Sequence, residues 1–227
     1  MPLISQRNFN AAIGILGIFA LGVFLDWFPK AFLGIPMPEG LVANSFANTL
    51  WQVVVTICIP VYWAIKRLGF SLADLGLSTR NLGKTLLLGC LLYSLALAAF
   101  IHCSDDPLIS NHALGKIGFW EAVGLTSSMG LVAAGTDVAT RGFVLFTLAR
   151  YTHVGFAIFV QNLTWYLGHI HELNILRNCL GYGTALALVL TLGLLGDAIA
   201  LKTRNVVGLA IAHILLNIVL AVYIRQL

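Results

Sequence analysis

Seven apolar segments, each close to the length needed to cross a lipid bilayer, constrain this chain more than any other feature. They cover residues 10–28, 41–65, 85–101, 117–149, 154–170, 182–201 and 206–224. A hydrocarbon core about 30 Å thick is spanned by about 20 residues of helix. Inside it every backbone N–H and C=O needs a partner within the protein, which a helix supplies by itself. The expected fold is therefore all-α: a polytopic integral membrane bundle of about seven transmembrane helices, between six and eight, in one transmembrane domain covering residues 1–227. The fourth segment is the odd one. As a straight helix it would be roughly 50 Å long, so it must tilt, protrude or break. Gly130 and Gly135 are the expected kink points.

The 59% hydrophobic and 10% charged composition excludes an ordinary soluble domain, in which about a quarter of residues are charged. The formal charge of +4 is no sign of nucleic-acid binding, because the basic residues flank apolar segments instead of forming a patch. With the N-terminus in the cytoplasm, Arg7, Lys66, Arg67, Arg80, Lys84, Arg150, Lys202 and Arg204 fall inside. Lys30, Lys116, Arg177 and Arg225 then fall outside, as the positive-inside rule requires. The retained first segment and short loops suit a bacterial inner membrane. Residues 104–107 form an acidic outer loop. Ser71 is expected to cap a short interfacial helix in the link that follows the second segment. Cys58, Cys90, Cys103 and Cys179 include no CxxC pair and read as small hydrophobes. Trp27, Trp63 and Trp120 read as interface-belt residues.

Polar residues inside the apolar segments carry the functional question. Asp137 and Arg141 stand four apart, so a helix puts them on one face, close enough to pair. An ionisable group at membrane depth is costly unless paired or turned to a polar cavity. His169 ends the fifth segment. His213 and Asn217, again four apart, share a face of the seventh. Counting 1.5 Å per residue from the cytoplasmic ends places all five in one layer near mid-membrane. Gln161, Asn162, Asn44, Asn48 and Gln52 are expected to bond between helices. Asp197 is expected at the cytoplasmic interface near Lys202, and His171 with Glu172 in a solvated outer loop.

The order and spacing of these residues resemble the CPBP family of intramembrane proteases, which includes the CAAX prenyl endopeptidases and the Abi proteins. That family carries Glu-Glu-x-x-x-Arg, Phe-x-x-x-His and His-x-x-x-Asn on successive helices. Here Thr136-Asp137-x-x-x-Arg141-Gly142-Phe143, Trp165-x-x-x-His169 and His213-x-x-x-Asn217 take those places. The link from Gly196 to Asn205 is also similar, and the motif region covers residues 117–224. The resemblance implies that the first Glu and the first His activate a water molecule. It implies that the last His and Asn stabilise the oxyanion that develops.

The departure from the pattern matters as much as the match. Thr136 stands where the family has its first Glu, and a threonine hydroxyl is no general base near neutral pH. Asp137 is one methylene shorter than the second Glu, and a displacement of about 1 Å can cost about 100-fold. Two functions stay open. One is a non-catalytic relative that serves as a subunit, an assembly factor or a holder of lipid or isoprenoid. The other is an active endopeptidase for prenylated or membrane peptides, using Asp137 as base with His169. Without catalysis, Asp137 and Arg141 form a structural ion pair and His169 and His213 bond between helices. Asp137, His169 and His213 are ligand types suited to zinc, but their spacing fixes no geometry, so neither metal nor cofactor is expected. The expected partners are membrane lipids and a larger membrane complex or prenylated ligand. The segments show no repeat between halves, which argues against a transporter.

Overall fold

The computed structural model describes residues 5–32, 41–103 and 118–226. The acidic stretch 104–107 lies outside them, as do the side chains of Trp27, Asn44 and His171. The described residues form ten α-helices in order: α1 (Gln6–Phe32), α2 (Leu41–Val53), α3 (Ile59–Leu68), α4 (Leu82–His102), α5 (Phe119–Asp137), α6 (Phe146–Tyr151), α7 (Val154–Gly168), α8 (Ile170–Leu180), α9 (Tyr182–Thr203) and α10 (Val207–Gln226). Two π-helical segments, Val54–Cys58 and Val138–Leu145, join α2 to α3 and α5 to α6. Among the described residues there is no strand. The chain is a polytopic helical membrane protein. Among the described residues five helical stretches are long and apolar enough to cross a bilayer: Gln6–Asp26, Ala47–Leu68, Leu82–His102, Ser127–Tyr151 and Tyr182–Thr203. The seventh apolar segment gives α10, with 20 residues, and the fifth gives α7, with 15 residues.

The fourth segment is the centre of the bundle, with 72% of its apolar window buried against 17–39% for the other four. It does not kink at Gly130 or Gly135. Both glycines sit in regular helix, where they let Ile214 and Ile57 pack close to the backbone. The change of winding comes later, in the π-helical segment just after Asp137. There the Thr140 hydroxyl donates to the Thr136 carbonyl at 2.8 Å, a side-chain bond that competes with the backbone ladder. Such wide turns often mark functional positions. The segment buries Ala139 through Leu145.

Small residues bring the other helices close, as expected where no hydrophobic drive separates helix from lipid. On α4, a Cβ at Gly89 would lie 2.8 Å from the Ala212 side chain of α10. On α10, a Cβ at Gly208 would lie 2.6 Å from the Leu86 backbone. The turn at Gly76 (φ +71) packs under Phe146 and Val206. Its carbonyl accepts from Val206 N at 2.9 Å. Asn205 ties the same loop down, donating to the carbonyls of Ser78 (2.6 Å) and Arg80 (2.8 Å).

Three sequence expectations change here. Residues 72–76 form consecutive turns and no helix, although Ser71 does act as a cap, its hydroxyl accepting from Asp74 N at 3.2 Å. Trp63 packs inward, edge to face with Phe143 at 6.4 Å, as part of the core surroundings. Cys103 and Cys179 are not independent small hydrophobes. They form a disulfide between the end of α4 and the end of α8, with Cα atoms 5.6 Å apart. Sequence spacing gave no hint of it, because the two are 76 positions apart. Cys58 and Cys90 are free.

Candidate functional site

Asp137 is fully buried at the last residue of α5, and both its oxygens are occupied. Oδ1 pairs with Arg141 Nη1. The Tyr93 hydroxyl of α4 lies 3.2 Å from Oδ1 and 3.0 Å from Oδ2. His213 Nδ1 of α10 lies 3.1 Å from Oδ2. A carboxylate only accepts, so His213 carries its proton on Nδ1 and presents Nε2. The predicted pair of Asp137 and Arg141 therefore forms, and His213 joins it.

Arg141 is also fully buried and reaches a second carboxylate. Its Nε donates to Asp197 Oδ1 at 3.2 Å and its Nη2 to the Gly193 carbonyl at 3.3 Å. Its guanidinium lies over the Trp165 ring at 4.1 Å. Asp197 is thus not an interfacial residue near Lys202. It is 1% exposed inside α9, where its Oδ2 accepts from Asn162 Nδ2 at 2.7 Å. Burying a guanidinium in a membrane bundle calls for this density of acceptors. The α9 glycines make the room: a Cβ at Gly196 would overlap the Arg141 guanidinium, and one at Gly193 would overlap the Asn162 amide.

His169 stands apart from the carboxylates. It closes α7, its Nδ1 is 2.8 Å from the Trp165 carbonyl, and its ring stacks on Trp165 at 3.9 Å. The carbonyl only accepts, so His169 too carries its proton on Nδ1 and leaves Nε2 open. Its ring lies 6.1 Å from His213, nearly parallel to it at 13°, and Tyr93 stacks on His213 at 4.5 Å. Asn217 donates to the His213 backbone carbonyl at 3.0 Å. Thr136 turns its hydroxyl to its own helix, donating to Val132 O at 3.0 Å. Gln161 and Asn162 bond between helices as expected, Gln161 to Thr140 at 3.4 Å. Among the described residues no three His, Cys, Asp or Glu side chains are arranged to hold a metal.

Sequence reasoning missed Tyr93 and misplaced Asp197. It also read Glu172 as solvated loop. Glu172 lies in the first turn of α8, where its Oε2 is buried with no hydrogen-bond partner. Its charge acts on the His169 ring.

This geometry joins Asp137, Arg141 and His213, with Tyr93, Asn162 and Asp197, into one buried polar layer. Half-buried His169 stacks beside it on Trp165, and Thr136 and Asn217 bond to their own helices. Residues 116–219 match the model of the Rce1-like family, type II CAAX prenyl endopeptidases. This stretch is similar to that family. The match covers the whole polar layer except Tyr93, so the Rce1-like region and the layer are largely the same piece of chain. No curated protein and no solved structure matches the chain.

Proposed function

We propose that this is a non-catalytic Rce1-like membrane protein, in which the polar layer fastens helices together and the protein serves as a binding or assembly partner in a membrane complex. The ligand class is lipid, isoprenoid or prenylated chain. One observation carries the reading: the only carboxylate left at the family's Glu-Glu position, Asp137, has both oxygens held by Arg141, Tyr93 and His213. A carboxylate that already accepts from a guanidinium, a phenol and an imidazole has most of its lone pairs engaged, which weakens it as a base toward water. Thr136 cannot replace it. The test is cleavage of a prenylated CAAX peptide by the purified protein beside a Thr136→Glu, Asp137→Glu variant. The parent is expected to be inert. Cleavage by the parent that disappears in His169→Ala overturns the reading.

A second reading has one observation in its favour. Glu172 keeps an oxygen without a partner near the open imidazole of His169. An active endopeptidase would then draw its carboxylate from α8 instead of from Asp137. It predicts that Glu172→Gln abolishes cleavage by the parent and that Asp137→Asn spares it.

The orientation we propose puts the N-terminus in the cytoplasm of a bacterium-like cell, with the chain in its inner membrane. Arg80, Lys84, Arg150, Lys202 and Arg204 gather at one end of the bundle, and the Cys103–Cys179 disulfide closes the other. Positive-inside and oxidising-outside then agree. Labelling of single cysteines introduced at positions 80 and 181 by a membrane-impermeant reagent checks it.

A further inference from the structure

At the basic end of the bundle lies a cavity of about 340 Å³ that none of the motif residues lines. Arg150 of α6 and Arg204, just past α9, face it together with Asp74, Phe70 and Phe146. Each arginine is laid on an aromatic ring: Arg150 over Phe70 at 4.7 Å, Arg204 over Phe146 at 5.1 Å. Both rings are buried, with 4% and 3% exposure, so they are fixed floors. Stacking engages the face of a guanidinium and leaves its N–H edge for acceptors. Among the described residues neither arginine donates a hydrogen bond or stands in an ion pair, so both edges are unused. Arg204 also holds φ +54, a left-handed conformation uncommon for a residue with a side chain. The contact with Phe146 is what places this guanidinium.

Asp74 is the one acid in the cavity. It accepts from Ser71 N at 2.8 Å and Ser71 Oγ at 2.7 Å, so its carboxylate is engaged by the loop. The lining of two arginines and one aspartate keeps a net positive charge. Rigid, unused guanidinium edges around one cavity match the oxygens of a phosphate group, which forked donors bind best. We infer that this cavity is a binding site for a phosphate-bearing anion, held between Arg150 and Arg204. The shared chemistry fits either a lipid headgroup at the cytoplasmic surface or a soluble phosphate compound.

The test uses the full chain in detergent, following thermal unfolding. The probes are inorganic phosphate, phosphatidylglycerol and, as a zwitterionic control, phosphatidylcholine. Stabilisation by phosphatidylglycerol alone assigns a lipid headgroup, and stabilisation by inorganic phosphate assigns a soluble anion. Arg150→Gln and Arg204→Gln are each expected to weaken the response at least about tenfold. Asp74→Asn, which keeps an acceptor for Ser71 and removes the opposing charge, is expected to strengthen it. Arg67→Gln, outside the cavity on the same side, is expected to change nothing. The proposal is overturned if neither anion stabilises the parent. It is equally overturned if Arg67→Gln loses as much as the two cavity variants, since the attraction would then belong to the whole basic surface.

Discussion

Asp137 and His213, 76 positions apart in the chain, meet at 3.1 Å in the middle of the bundle. Their contact joins α5 to α10. With Tyr93 on the same carboxylate, it joins α4 as well. One aspartate therefore links three helices, and its neighbour Arg141 adds α9 through Asp197.

Asp137→Ala should be the most damaging single change in the layer. It strips Arg141, His213 and Tyr93 of a shared acceptor and leaves a buried guanidinium with only Asp197 and the Gly193 carbonyl. Removing one partner of a buried pair costs about 3–5 kcal/mol. Denaturant unfolding in detergent should show a loss of that order. Asp137→Asn should cost less, because it keeps the shape and one acceptor.

Gly196→Ala tests the space made for Arg141. The added methyl overlaps the guanidinium, so α9 must move or Arg141 must leave Asp197. Overpacking of this kind typically costs about 1–3 kcal/mol. Gly83→Ala, on α4 with no neighbour within 4 Å of the added atom, is the control and should leave the unfolding midpoint unchanged or slightly raised.

Cys103→Ser should lower stability by about 2–4 kcal/mol, the usual effect of losing a bond that closes a long loop. The parent should run faster on a non-reducing gel than after reduction. It should offer only Cys58 and Cys90 to a thiol reagent in denaturant.

The turn at Ser71 should weaken in acid. The Ser71 backbone N–H, then its hydroxyl, hold the Asp74 carboxyl below its ordinary value of 3.8, with Arg150 and Arg204 adding smaller pulls. A carboxyl lowered in the folded state stabilises above its unfolded pKa, and that contribution fades as pH falls through the lower folded value. The protection of the Asp74 and Leu77 amides from hydrogen exchange, relative to the intrinsic rate at each pH, should therefore fall below about pH 4. In Asp74→Asn that acid step should vanish.

The apolar segments were legible because each is long and uniform, and the five motif positions because their spacing repeats the helical turn. What escaped was whatever depends on tertiary approach. Asp197 lies in sequence next to Lys202 and looked interfacial, yet Gly193 and Gly196 let α9 close over Arg141 and bury it. Tyr93 sits in a helix with no other ionisable group near it in sequence, so nothing marked it as a carboxylate partner. Glu172 beside His171 looked like exposed loop, but α8 turns it back toward His169. The irregularity in the fourth segment lies at the threonine-bearing π-helical turn and not at the glycines, because small residues in this bundle serve close packing, and side-chain hydroxyls loosen the ladder.

The disulfide has a topological consequence. With Cys103 and Cys179 joined, the chain between them is a closed ring that carries Asp137, Arg141, Asn162 and His169, while Tyr93, Asp197 and His213 lie on the two tails. A protease that nicks any peptide bond within the ring leaves one covalent molecule, with both tails still attached. Reduction turns the same nick into two separable pieces, and where the cut lies beyond Arg141 the buried arginine would keep Asp137 but part from Asp197 and the Gly193 carbonyl.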